Sequence, residues 1–557
     1  MDPVAGETFW QGANWPFLVA AAVAVPEIVK FVASLLQRSR IGSPVPEELK
    51  GIYDEEENDT SLRYSIAKST FGLWHTFFSA GVFFGFWLLG GFPCLDGFCC
   101  GLELSEVSTG VVYITLLMGL QQALDIPWDL YFTFVLEEKF GFNKTTAATF
   151  AKDRVKGVLL YLLLGVPVLA VVLWFLGSFG TGAWFWVWSF ITAVQVIMLI
   201  LLPVLILPLF MEMIPLPDGQ AIILEDVGAD QALPPFLSGR VFYADEPLQN
   251  EKAWTTRDRR FAGAKVGEQL VLRRKDGSWV ICSARGEDVQ IYATANGAGS
   301  FADGKLSFQI TEEAKKLVEA KQGQASSDPL VPRAATTVNA ACVEAGSLRR
   351  SLLEMADSLG YKGASIFVID GSARSSHSNA FCTGFGSFRR ICLFDTLLPI
   401  MSEGEILAVL GHEIGHDRLY HVHTRLISQI LYLFVMLYVL GNFLLSPALS
   451  AAFFAQPKVY LGVVFFSIIW EPVDFPLSVL MQLLSRSHEY QADRFSVRAG
   501  RENSRLLGEA LKKLMKKSKV NLTPHPFHVF LNNSHPPLDT RLQAIRDYHE
   551  KYYSCAA

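Results

Sequence analysis

Apolar residues along this chain gather into seven long runs, separated by polar connections of very unequal length. The runs cover approximately residues 15–36, 73–95, 107–135, 157–176, 183–210, 427–449 and 459–484. Each reaches the roughly 20 residues that a helix needs to cross a hydrocarbon core, so seven membrane helices are predicted. The first has no basic stretch before it and no small-residue cleavage site, so it reads as a retained span and not as a signal peptide. Pro127, Pro472 and Pro476 predict kinks in the third and seventh spans.

The connections orient the spans. Residues 37–72 carry Arg38, Arg40, Lys50, Arg63 and Lys68, and residues 136–156 carry Lys139, Lys144, Lys152, Arg154 and Lys156. The alternate connections, 1–14, 96–106, 177–182 and 450–458, hold Lys458 and no other Lys or Arg. The excess of basic residues on cytosolic loops then puts the N-terminus on the far side, and the large polar regions 211–426 and 485–557 in the cytosol. Glu27, Asp125, Asp129, Glu471 and Asp474 lie inside or at the edge of spans. They mark either a hydrated cavity or ordinary helix ends.

After the fifth span, residues 268–273 and 279–283 alternate between Gly-rich turns, and a Ser/Pro linker follows near 326–332. This predicts a β-rich insertion. A helical period returns over 347–359, and residues 364–370 and 391–393 read as strands. The expected fold class is mainly α and polytopic. Its divisions are 1–210 (spans one to five), 211–346 (connection with the insertion), 347–426, 427–484 (spans six and seven) and 485–557.

Composition supports the membrane reading: 51% of the 557 residues are hydrophobic, 18% are charged and 12% are aromatic. Mean hydropathy is +0.29. A net charge of −6 without a long basic run argues against nucleic acid as a partner. None of the eight cysteines forms a CxxC pair, and only Cys94, Cys99 and Cys100 lie close enough in sequence to suggest a local bridge, with unpaired thiols the equal alternative.

The chemistry concentrates in one stretch, Glu405-Ile-Leu-Ala-Val-Leu-Gly-His412-Glu413-Ile-Gly-His416. Ser402 and Glu405 form a capping-box pattern, so a helix is expected to start here. His412 and His416, four apart, then share one face and can share one metal ion, with Glu413 beside it as a general base. This is the H-E-x-x-H signature of zinc peptidases. A catalytic zinc takes a third protein ligand. Glu489, on a helix leaving span seven, is the candidate, with the adjacent His488 as its competitor and Asp493 placed to orient a ligand histidine. His421 and His423 do not repeat the spacing and are expected to be solvated.

Five ordered motifs together resemble the type I CAAX prenyl endopeptidases. They are the H-E-I-G-H helix, Glu489-Tyr-Gln-Ala-Asp493, His377-Ser-Asn379-Ala380, Leu393-Phe-Asp-Thr-Leu-Leu398 and His535-Pro-Pro-Leu-Asp-Thr-Arg541. Further likeness lies in Leu216-Pro-Asp-Gly219, Ile126-Pro-Trp128 and Glu137-Glu-Lys-Phe-Gly-Phe-Asn143. The resemblance implies seven helices around a water-filled chamber and a cytosolic zincin-like metalloprotease domain made from 347–426 and 485–557. It also implies one zinc ion on His412, His416 and Glu489, with Glu413 as base. Asn379 would bind substrate backbone, and His535 and Arg541 would stabilise the oxyanion. The implied activity is removal of the C-terminal tripeptide from prenylated CAAX proteins in the endoplasmic reticulum membrane, with the nuclear envelope as a second address. The insertion lengthens a region that is short in this family. The sequence ends Cys555-Ala556-Ala557, which is not itself a C-a-a-X box. Alternative readings are a general membrane-protein quality-control metalloprotease, a catalytically inactive binding scaffold and, weakest, a transporter.

Overall fold

The computed structural model describes residues 14–216, 348–384, 389–398 and 400–554, together with the backbone of seven strands between 221 and 340. The 326–332 linker lies outside the described residues. Among the described residues, seven helices are long and apolar enough to cross a membrane. The first five are α1 (Trp15–Ser39), α2 (Glu55–Leu88), α3 (Glu106–Glu137), α4 (Ala147–Ser178) and α5 (Ala183–Phe210). After a region of strands come α6 (Leu348–Ser358) and α7 (Glu403–Arg418). The last two spans are α8 (His421–Phe443) and α9 (Val459–Ala499), followed by α10 (Asn503–Lys517) and α11 (Leu538–His549).

Local chemistry sets several boundaries that hydropathy misplaces. Helix α2 begins at Glu55, not near residue 73, because Asp54 and Glu57 close a reciprocal capping box with bonds of 2.8 and 3.0 Å. It stops at Leu88, where Gly90 takes a positive φ of 75° before a short helix, Gly91–Cys100. Helix α8 starts at His421, six residues before the apolar run, since its first turn is polar. In α3, α4 and α5 the α-helical ladder gives way to π turns at Phe132–Glu137, Tyr161–Gly165 and Leu202–Ile206. Each π turn lies within a turn or two of a proline, Pro127, Pro167 or Pro203, whose missing N–H and ring crowding shift the ladder. Pro472 and Pro476 sit inside α9, which stays α-helical throughout.

The described residues fall into two compact units. The first, Met1–Phe210, Ser372–His377 and Gly415–Ala557, holds all seven spans. At most 22% of each span's apolar window is buried within the protein, and Leu89, Phe17 and Leu163 are 88%, 72% and 71% exposed. Apolar faces of that extent need lipid, which makes this a multi-pass membrane protein. The spans do pack at one aromatic cluster, where the Phe453 and Phe465 rings stack at 4.1 Å and the Trp87 indole donates to the Ala452 carbonyl at 2.9 Å. There α9 approaches the end of α8 so closely that a Cβ on Gly462 would lie 1.7 Å from the Leu444 carbonyl oxygen. Gly462→Ala is therefore expected to lower stability by about 3 kcal/mol, because backbone has to move, and a detergent thermal melt checks it.

The five acidic groups in the spans all have polar partners. Lys30 lies 2.7 Å from Glu27 and 3.4 Å from Glu471, His75 lies 3.3 Å from Asp125, Arg154 pairs with Asp129, and Tyr432 donates to Asp474 at 2.9 Å. Such pairing offsets much of the cost of ionisable groups at membrane depth.

The second unit, Met211–Gly371 and Ser378–Ile414, holds two sheets. One orders β1 (Met213–Pro215), β9 (Ser365–Ile369), β11 (Arg390–Phe394) and β10 (Ala380–Thr383), with β9 and β11 parallel and the outer pairs antiparallel. Burial in β11 pushes the Cys392 thiol up to about 12. The other sheet runs in chain order through β2 (Ala221–Ile223), β3 (Arg240–Ala244), β4 (Gln269–Arg273), β5 (Trp279–Arg285), β6 (Asp288–Ala295), β7 (Leu306–Ile310) and β8 (Thr337–Ala340). It coincides with the insertion. Cys94, Cys99 and Cys100 are free thiols.

Candidate metal centre

Helix α7 starts where its sequence says it should. The Glu405 side chain accepts from the Ser402 N–H at 2.7 Å, and Ser402 Oγ accepts from the Glu405 N–H at 3.4 Å. The helix is unbroken to Arg418, so it holds His412 and His416 one turn apart. Gly415 lets it lie against α9: a Cβ there would stand 3.1 Å from Phe495 Cβ and 3.2 Å from Ala492 Cα. Small residue on small residue brings the two backbones close enough for His416 to reach Glu489.

Ligand atoms of His412, His416 and Glu489 all lie within 4.8 Å of one another. His416 Nε2 and Glu489 Oε1 are 3.4 Å apart. A tetrahedron with bonds of about 2.0–2.1 Å has edges of roughly 3.3–3.4 Å, so two imidazoles and a carboxylate at this spacing fit one divalent metal ion. His412 and Glu489 are buried, and Glu413 is half-buried beside His412 on α7.

The other residues singled out in the sequence are distributed differently. His535 is 65% exposed, with Nδ1 2.8 Å from Glu489 Oε2. Arg541 is buried on α11. It holds Asp493 through two hydrogen bonds of 2.9 and 2.6 Å and comes within 3.3 Å of Glu489 Oε2. Its guanidinium thus faces two carboxylates. Asp493 in turn accepts both of those bonds from Arg541. His488 is not in the metal cluster: its ring stacks on His421 at 3.9 Å and 8°. His421, expected to be solvated, is buried, with Nδ1 3.0 Å from His416 Nδ1. On one helix these two histidines would lie about 140° apart. The break at Tyr420, with φ of 59°, folds His421 back onto His416, and a helical-period reading of the sequence cannot see that turn.

Asn379 belongs to the second unit, just before β10, where its Oδ1 accepts from the Ala380 N–H at 2.9 Å and its carbonyl accepts from the Phe394 N–H. Neighbouring His377 belongs to the first unit. It stacks on Phe142 at 4.3 Å and stands 3.7 Å from Glu137, which also accepts from the Tyr64 hydroxyl at 2.5 Å. The motif at 137–143 therefore carries residues that dock the 372–377 segment onto α3.

Seven membrane helices joined to a helix-borne His/His/Glu cluster define a membrane metallopeptidase. Residues 35–212 match the model described as CAAX prenyl protease N-terminal, five membrane helices, and residues 343–549 match the model of peptidase family M48. The chain belongs to peptidase family M48, in its CAAX prenyl protease branch. It is 27% identical to the CAAX prenyl protease 1 homolog of Arabidopsis thaliana, covering 95% of this chain and 97% of that protein. It is 24% identical to CAAX prenyl protease 1 of Saccharomyces cerevisiae, covering 91% and 89%. The human homolog is 25% identical, covering 90% and 88%. The crystal structure of S. mikatae Ste24p has the same fold, with a TM-score of 0.69 at 23% identity over 96% of this chain and 99% of that one.

Proposed function

We propose that this protein is a zinc endopeptidase that removes the last three residues of prenylated CAAX proteins at a membrane. The observation that carries the reading is the direct attachment of the metal cluster to membrane helices. Glu489 lies on the continuation of the seventh span, and the sixth begins five residues after His416. A lipidated C-terminus needs apolar surroundings for its prenyl group and a polar, metal-bearing site for its peptide bond, and this chain joins the two.

His412, His416 and Glu489 would hold the ion. Zinc held there would supply Lewis-acid polarisation and would lower the pKa of water toward neutrality. Glu413, beside His412 on α7, would serve as the general base and then as the acid that protonates the departing amine. His535, exposed and in contact with Glu489, stands at the rim of the cluster, where it can donate to the developing oxyanion. Arg541 acts through Glu489 and Asp493 by balancing their charge. Asn379 aligns substrate backbone. The paired ionisable groups within the spans fit a hydrated chamber. The distribution of Lys and Arg favours a cytosolic protease domain formed by residues 347–426 and 485–557, and the family resemblance points to the endoplasmic reticulum membrane, with the nuclear envelope as a second address.

Detergent-purified protein is expected to release the tripeptide from a farnesylated C-a-a-X peptide, to leave its unprenylated twin intact, and to stop when zinc is chelated. Equal cutting of both peptides would favour general membrane proteolysis instead.

A further inference from the structure

His421 is buried at the first position of α8 and touches three groups through its two ring nitrogens and its face. Its Nε2 lies 3.4 Å from Gln491 Oε1, its Nδ1 lies 3.0 Å from His416 Nδ1, and its face stacks on His488. Gln491 Nε2 donates to Ser487 Oγ at 3.2 Å, and its Oε1 is the amide atom set toward His421. From there the hydrogens follow in order. Gln491 Oε1 can only accept, so His421 Nε2 carries the hydrogen and His421 Nδ1 of the neutral ring is bare. A bare Nδ1 accepts from His416 Nδ1–H, which leaves the lone pair of His416 on Nε2, the nitrogen 3.4 Å from Glu489. The reverse polarity would put a hydrogen on that nitrogen and remove it as a ligand.

We infer that His421 is a positioning residue for the metal centre: it accepts a hydrogen bond from His416 and so fixes the tautomer and ring angle in which His416 can bind metal. This rests on the metal reading above. Metal-bound histidines usually donate their second N–H to a carboxylate, a backbone carbonyl or water. Here a second imidazole, clamped between Gln491 and His488, does that work without adding a negative charge.

Two substitutions separate the hydrogen bond from the packing. His421→Phe keeps a ring to stack on His488 but has no acceptor. His421→Asn loses the ring but places Oδ1 about where Nδ1 stood. Zinc affinity of the purified full chain, measured by competition with a chelator, is expected to fall about 10–100-fold in His421→Phe. It should stay within a few-fold of the parent in His421→Asn, and the melting temperature of zinc-free His421→Phe should match that of the zinc-free parent. Parent-like affinity in His421→Phe would overturn the inference. So would loss in His421→Asn with retention in His421→Phe, which would make the stack the working contact. A parent protein that holds no zinc would instead sink the metal reading itself.

Discussion

Glu413→Gln is expected to lower kcat on the farnesylated peptide by about 10²–10⁴-fold while the protein still holds one zinc per chain. Glu413 follows His412 on α7 but is not one of the three clustered ligands, so removing its charge leaves the donor set intact. What is lost is a group that can accept a proton from water and hand it to the leaving amine, and an amide can do neither. Single-turnover kinetics and metal analysis on the same preparation test both halves. Full activity in the variant would remove Glu413 from the mechanism, and loss of zinc would recast it as part of the metal site.

Arg541→Met should cost the most stability. Asp493 is fully buried, Glu489 is nearly so, and the structure sets the Arg541 guanidinium against both. Removing one partner of a buried ion pair costs about 3–5 kcal/mol, because the remaining charge stays buried without the group that offset its desolvation. Zinc on Glu489 relieves only one of the two carboxylates. The variant is therefore expected to melt much lower than the parent with or without zinc, and Asp493→Leu added to Arg541→Met should recover most of the loss. A single variant that melts like the parent would show that the pair carries little of the fold's stability.

The sequence made the seven spans legible because an 18-residue or longer apolar run has few alternatives. It also exposed the start of α7, because a Ser-x-x-Glu cap is a local hydrogen-bond pattern. The H-E-x-x-H pair and the Glu489 helix were readable from a helical period in the same way. What escaped depended on contacts far apart in sequence or on a break in period. The early start of α2 lay in charged residues that hydropathy discounts. The roles of His421 and His488 hinge on one left-handed residue, Tyr420, and on the packing of α8 against α9. The ion pairing of Arg541 was not legible either, since nothing local to Leu538–His549 reports that Asp493 lies beside it.

Helix α9 is 41 residues long, so at 1.5 Å per residue it runs about 60 Å, twice the thickness of a hydrocarbon core. It works as a drive shaft. The unbroken helix gives the Glu489 backbone a set angular phase relative to the lipid-facing residues of the seventh span. One residue inserted between Pro476 and Glu489 would swing the carboxylate through about 100°, whereas two turns, added as seven residues, would nearly restore its phase while lifting it by about 10 Å. The peptidase is in this sense timed to its bilayer, and changes in how the seventh helix seats among its neighbours are felt at the metal as torque.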